Sequence, residues 1–146
     1  MQLIGFNFTK ISAEKTPQFK LGSAINTNIE FTGFEKEKIE ILKDADALRV
    51  SFKFSISYIE EEKKEDKNGE ILFEGNLVLS ATKEESKDMF KSWKKKEFPG
   101  QVRLFLFNII LKKCSTKALS LEEDIAIPYH IPMPQLQAKP ADQPQK

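Results

Sequence analysis

From Leu48 to Tyr58 the sequence alternates without a break. Leu48, Val50, Phe52, Phe54, Ile56 and Tyr58 are separated by Arg49, Ser51, Lys53, Ser55 and Ser57. Successive side chains of an extended chain point to opposite faces, so this pattern puts every apolar group on one side. A helix would scatter the same residues around its circumference. The stretch therefore predicts an antiparallel strand with one face on a core and the other in water.

The same period recurs nearby. Ile71, Phe73, Leu77 and Leu79 share a face in a strand running from Ile71 to about Ala81. Between the two strands lies the charged run Glu60 to Glu70, which holds Asn68-Gly69, the dipeptide best suited to a two-residue hairpin turn. The run reads as the solvated tip of a β-hairpin. Ile25, Thr27, Ile29 and Phe31 alternate with Asn26, Asn28, Glu30 and Thr32 in a further strand, and Ile4, Phe6 and Phe8 repeat the spacing in Leu3 to Ile11. Residues 34–46 are highly charged and read as a loop with a short strand at Ile39–Leu42. The expected scaffold is a four-stranded antiparallel sheet with one polar face.

After Ala81 the period changes. Thr82 followed three residues later by Glu85 forms a capping box, which starts a helix. Met89, Phe90 and Trp93 define its apolar side, and Glu84, Glu85 and Lys94 to Lys96 are placed to suit the helix dipole. Phe98-Pro99-Gly100 breaks the chain. The segment VRLFLFNIILKKC then predicts a second helix continuing to about Ser120. Val102, Phe105, Leu106, Ile109, Ile110 and Lys113 fit one of its faces, and Leu104, Phe107, Leu111 and Cys114 fill the opposite side. A helix this apolar must be covered on more than one side. One side can lie on the sheet, and the other is expected to meet a second copy of the chain. Val102, Phe105, Leu106, Ile109 and Ile110 are the candidate oligomer contacts.

In IAIPYHIPMPQL, Pro128, Pro132 and Pro134 forbid a helix and disfavour a central strand, so the segment is extended and polyproline-like. Residues 1–136 are expected to form one domain, and the polar, proline-rich 137–146 a disordered tail. The fold class is α+β: a four-stranded antiparallel sheet, two helices on one face, and an extended C-terminal segment.

Composition removes several functions. Lys and Arg number 23 and Asp and Glu 22, so no global field recruits nucleic acid or an anionic membrane. One cysteine and one histidine leave no intrachain disulfide and no Cys- or His-based metal cluster. The opening MQLIGFNFTK lacks the basic start and unbroken apolar run of a signal peptide, and no apolar stretch reaches membrane length, so the cytoplasm is the expected compartment. The glycines, at positions 5, 22, 33, 69, 75 and 100, never form a phosphate-cradling loop. Cys114 sits among apolar residues as core filling, and His130 reads as a surface or packing residue. No enzyme and no cofactor is expected. The chain instead carries 12 Phe against 2 Tyr and 1 Trp, a greasy aromatic set without polar handles. Excess apolar surface of this kind marks a protein- or peptide-binding module.

The order of elements resembles the SecB family of export chaperones. The stretch that carries the resemblance is KSWKKKEFPGQVRLFLFNIILKKCSTKALSLEEDIAIPYHIPMPQL, residues 91–136, whose Trp/Lys helix end, Pro-initiated helix and terminal IP repeats are similar to the SecB-like branch. The resemblance implies a homotetramer built as a dimer of dimers, with the long helices between the sheets. It also implies a cytoplasmic holdase that binds unfolded or pre-export polypeptides in apolar grooves without ATP. Candidate groove residues are Phe98, Leu121, Ile125, Ile127, Tyr129, Ile131 and Met133, with Phe31 and Phe34 at the end of the second strand. The export type ends in a further lid helix and a tail that docks the SecA motor, which the prolines here oppose. A dedicated partner such as an antitoxin is the second version of the activity. Two rival classes use other surfaces. One is a nucleic-acid module built on Lys87, Lys91, Lys94, Lys95 and Lys96 around Phe90 and Trp93. The other is a carrier of an apolar ligand over the Phe-lined sheet.

Overall fold

The computed structural model describes residues 1–38, 44–60 and 67–138. Four strands, β1 (Gln2–Lys15), β2 (Ala24–Glu37), β3 (Ala45–Ile59) and β4 (Lys67–Thr82), form one antiparallel sheet in the order β1-β4-β3-β2. Helices α1 (Lys83–Trp93) and α2 (Gly100–Asp124) share a single apolar core with one face of that sheet. The expected α+β architecture is the observed one.

The alternation in β3 and β4 has the consequence read from it. Leu48, Val50, Phe52, Phe54, Ile56 and Tyr58 of β3 and Ile71, Phe73, Leu77 and Leu79 of β4 are all buried. These two strands occupy the middle of the sheet and are covered by the helices. Burying each large side chain contributes about 1.5–3 kcal/mol relative to exposure, so this double row dominates the core. Gly75 interrupts the row for a steric reason. A β-carbon there would lie 2.3 Å from the Asn7 carbonyl oxygen and 3.0 Å from Phe52 Cζ, so a side chain would push β1 off the sheet.

The edge strands depart from strict alternation. In β1 the register shifts between Leu3 and Gly5 and again between Phe8 and Lys10. Each shift is a bulge that absorbs one extra residue. Leu3, Phe6, Phe8, Ile11 and Ala13 are thereby brought opposite the inward residues of β4, and Ile4 is left exposed rather than inward as its spacing suggests. A third shift, between Phe31 and Gly33 in β2, lets both Phe31 and Phe34 face inward, opposite Phe52 and Val50.

Two sequence readings are corrected. Asn68-Gly69 is not the hairpin turn: Gly69 pairs with Tyr58 on one side and Lys15 on the other, inside β4. Asn68 is buried, accepts the Thr16 N–H at its carbonyl at 2.8 Å, and donates its side-chain amide to Ser23 Oγ at 2.9 Å. The dipeptide ties the β1–β2 connection to the sheet. Much of the expected loop at 34–46 is also strand, because β2 runs on to Glu37 and β3 begins at Ala45. The short strand at Ile39–Leu42 and residues 139–146 of the expected tail lie outside the described residues.

The capping box at the start of α1 is formed in full. Thr82 Oγ1 accepts the Glu85 N–H at 3.1 Å, and Glu85 Oε1 accepts the Thr82 N–H at 3.0 Å, which holds the Glu85 carboxyl below its ordinary range. Beside it, buried Asp46 accepts from Lys83 at 2.6 Å and pairs with Lys36 at 3.1 Å. The Lys83 hydrogen bond, with help from Lys36 and Ser86, lowers the Asp46 carboxyl to about 2. This anion fastens α1 to β2 and β3.

Helix α2 packs on the sheet along one row of its residues. Its buried residues are Leu106, Ile110, Cys114, Ala118 and Glu122, one row of residues four apart. Such a row advances about 40° around the helix axis with each step of four, so the buried side of α2 shifts along its length. The helix outlasts the expected end near Ser120, and Leu121 belongs to it rather than to the terminal segment. It closes in a Schellman turn: Ile127 N–H donates to the Glu122 carbonyl at 3.0 Å, Ala126 N–H to the Glu123 carbonyl at 3.3 Å, and Ala126 takes φ 56°. The turn sends the chain back toward the sheet. From Ile127 to Ala138 it is neither helix nor strand, as the prolines require.

Candidate functional site

One helix cannot cover four strands. Helix α2 sits over the middle pair, so its flanks face the two edge strands, and the flanks are finished differently.

On the β2 flank the space is filled by rings. Phe31 stacks on Phe107 of α2 with centroids 5.1 Å apart and meets Phe98 edge-on at 4.9 Å. Phe34 contacts Phe90 at 4.5 Å and Phe98 at 5.2 Å, while Trp93 stacks on Phe98 at 5.1 Å. Phe98 is the hub and is only 4% exposed. The Pro-Gly break after it turns the chain so that this ring drops between α1 and α2. Edge-to-face and offset pairs add to the area each ring buries.

On the β1 flank the space stays open. A groove of about 610 Å³ lies between β1 and α2, with Leu3, Phe8 and Ile109 as its apolar lining. Lys112, Lys113, Thr116, Lys117 and Ser120 complete its walls from the helix side. Phe105, one turn before Ile109 on α2, is 37% exposed, while Leu111 at 39% and Leu104 at 62% are exposed on the opposite side of the helix, beside Phe107.

The terminal segment forms a third apolar feature and is fastened by a buried polar cluster. The Tyr58 hydroxyl lies 2.6 Å from Glu122 Oε2 and 2.6 Å from the Pro128 carbonyl oxygen, two acceptors for its one proton. Burial, and then the Glu122 carboxylate, raise the Tyr58 hydroxyl above the ordinary phenol range. The His130 N–H donates to Glu122 Oε2 at 2.8 Å, and His130 Nδ1 meets Glu122 Oε1 at 2.8 Å. His130 Nε2 lies 3.1 Å from Ser115 Oγ. A buried carboxylate needs such partners, since an unpaired one would be expelled from the interior. The network pins Pro128 to His130 against α2 and β3, and beyond it Ile131 and Met133 stand exposed.

Ser115, His130 and Glu122 have the order of a hydrolytic triad, yet the surroundings oppose that chemistry. The His130 side chain is 2% exposed, so substrate has no approach to it. Ser115 lies in the interior of α2, where backbone N–H groups are spent on the helix ladder and none is left for an oxyanion. Cys114 is equally unsuited, because burial pushes its thiol up to about 12 and suppresses the nucleophilic thiolate. Among the described residues, no group of three or more His, Cys, Asp or Glu is placed to hold a metal ion, and no helix is long and apolar enough to cross a membrane.

The structure sorts the candidate residues into three places. Phe31, Phe34 and Phe98 come together in the aromatic cluster, where the first two are half-buried and Phe98 is core. Leu121 and Ile125 are half-buried at the end of α2, and Ile127 is packed into the core. Tyr129, Ile131 and Met133 present apolar surface. Of the candidate oligomer contacts, Leu106 and Ile110 are fully buried against the sheet of their own chain and offer nothing to a second one. Val102 and Ile109 are half-buried, and Phe105 is exposed. Sequence reasoning missed the open β1 groove and the Tyr58–Glu122–His130 cluster. Ile109 was the one lining residue among its candidate contacts; Phe8 and Lys113 were read only as part of a strand and a helical face, and Lys112 and Lys117 carry no signal until the helix is seated.

No family model and no curated protein matches this chain. Among solved structures the chain is similar to the Mycobacterium tuberculosis Rv1957 SecB-like chaperone in complex with a ChAD peptide from the Rv1956 HigA1 antitoxin, at 15% sequence identity and a TM-score of 0.47 over 95% of this chain and 91% of that one.

Proposed function

We infer that this protein is an ATP-independent holdase that takes up unfolded or pre-export polypeptide segments on apolar surface. The observation that carries the reading is the open β1 groove, with exposed Phe105 one turn before its lining residue Ile109; Leu104 and Leu111 add exposed apolar surface on the other side of α2. Exposed apolar surface on this scale marks an interaction site rather than ordinary surface. Each Å² of client surface removed from water contributes about 25 cal/mol, a nondirectional gain that sequence-diverse segments can share. Aromatic and long aliphatic walls tolerate many side-chain shapes, which suits a broad client range. The half-buried rings at the β2 edge and the exposed terminal residues Tyr129, Ile131 and Met133 extend the available surface. Pairing of two copies through Phe105 and the neighbouring exposed residues of α2 would bring such surfaces into one assembly, a tetramer in the cytoplasm on this reading. A single dedicated partner, such as an antitoxin, would use the same surface.

The test is light scattering of an unrelated, chemically unfolded protein diluted into buffer without nucleotide. Suppression near stoichiometric amounts, unchanged between about 50 and 300 mM salt, supports the reading, because apolar burial is little screened. A nucleic-acid module on the α1 lysines would instead lose affinity steeply with salt. No suppression of any unfolded protein would overturn the holdase.

A further inference from the structure

The lysines of the β1 groove are placed where apolar binding alone does not need them. Lys112, Lys113 and Lys117 all line it, and no carboxylate does. Lys113 and Lys117 are four apart on one helix, a like-charge pairing that weakens the helix it sits on. Among the described residues none of the three is in an ion pair, whereas Lys20, Lys36, Lys67 and Lys83 each have a carboxylate partner. Nor do the lysines serve the helix dipole, since they lie well before the C-terminus at Asp124, and the last turn itself holds no basic residue. The chain as a whole is nearly neutral, with a formal charge of +1, so this is a local positive rim around an apolar floor.

We propose that the β1 groove selects polypeptide segments in which an apolar run is flanked by Asp or Glu. The apolar side chains seat on Leu3, Phe8 and Ile109, and the flanking carboxylates meet Lys112, Lys113 and Lys117. Lysine suits this task, because its long apolar stem lines the groove while its ammonium reaches the rim and follows differently spaced acids. The inference rests on the polypeptide-binding reading above and names the class of segment this groove prefers.

Fluorescence anisotropy on the full chain, with labelled peptides sharing one apolar core, tests it. The flanks are Glu, Gln or Lys, and binding is measured at about 50 and 300 mM salt. The expected result is roughly tenfold tighter binding of the Glu-flanked than the Gln-flanked peptide at low salt, shrinking at high salt, with the Lys-flanked peptide weakest. K113Q/K117Q should erase the preference and keep Gln-flanked binding, while K94Q/K95Q, in the turn just after α1, should leave the preference intact. Equal binding of Glu- and Gln-flanked peptides overturns the selection but leaves the holdase standing. Preference that survives K113Q/K117Q places the acid site elsewhere and also overturns it. Failure of every peptide, together with failure to suppress aggregation, sinks the polypeptide-binding reading itself. If instead the groove is covered by a second copy, I109D would dissociate the assembly in sedimentation and raise peptide binding, which again overturns the proposal for the free groove.

Discussion

The two flanks of α2 are made from similar materials and end in opposite states. Each joins an apolar edge strand to one side of the same helix. On the β2 side, α1 and the Phe98 turn supply extra rings, so Phe31 and Phe34 are packed among Phe90, Trp93 and Phe107. On the β1 side no third element arrives among the described residues, and Leu3, Phe8 and Ile109 line open space. The lesson is that openness here follows from chain connectivity rather than from composition. Both helices follow β4, and the chain between them turns toward β2.

The contrast can be broken from the filled side first. Phe98→Ala should cost about 3–5 kcal/mol in urea denaturation, because it removes the ring that Phe31, Phe34 and Trp93 all touch. Phe8→Ala, the counterpart on the open side, should cost clearly less while weakening client binding. Equal costs would show that the β1 groove is closed in solution. The next effect concerns the terminal segment. Glu122→Ala leaves Tyr58 and His130 without their shared acceptor and should destabilise by about 3 kcal/mol. Limited proteolysis within residues 128–136 should accelerate in the same variant; unchanged cleavage would mean that the cluster does not hold the segment.

A smaller effect sharpens the account of how α1 is held on the filled side. The folded-state carboxyl of Asp46 lies near 2, below its ordinary value of 3.8. A depressed carboxyl contributes stability above its unfolded value, and that stability is lost as pH falls from about 4 through 2. Asp46→Asn should therefore be less stable at neutral pH and show a flatter decline in melting temperature over that acid window. Identical acid profiles would remove the anion from the account. Smallest is Ala126→Gly, which relieves a left-handed alanine at the Schellman turn. It should stabilise by about 0.5–1 kcal/mol without altering client binding, as measured by thermal melts and anisotropy.

Much of the sheet was legible because the period of two in β3 and β4 is a direct imprint of a buried inner face. The capping box Thr82-x-x-Glu85 was legible for a similar reason, since both partners lie within one helical turn. Edge strands were harder. Their bulges shift Ile4 outward and Leu3 inward, and a bulge is set by pairing with β4 rather than by local preference. Asn68-Gly69 misled because Gly69 pairs with both β1 and β3 inside the sheet, where a β-carbon would sit 3.2 Å from the Glu14 carbonyl oxygen. Of the candidate site, the apolar residue types were visible, but exposure was not. Leu106 and Phe105 are neighbours of like character in α2, yet one is fully buried and the other open.

The sequence by itself determined the elements whose signals are local: alternating strands, the capped helix, the Pro-Gly break and a proline-bound extended terminus. Only the tertiary structure decided which apolar residues remain as surface, because that depends on where α2 crosses the sheet and which flank the α1–α2 turn fills. It also decided that Tyr58, Glu122 and His130, 64 residues apart at the first step and 8 at the second, share one buried network. Long-range contacts of that kind are chosen by the packing of the core as a whole.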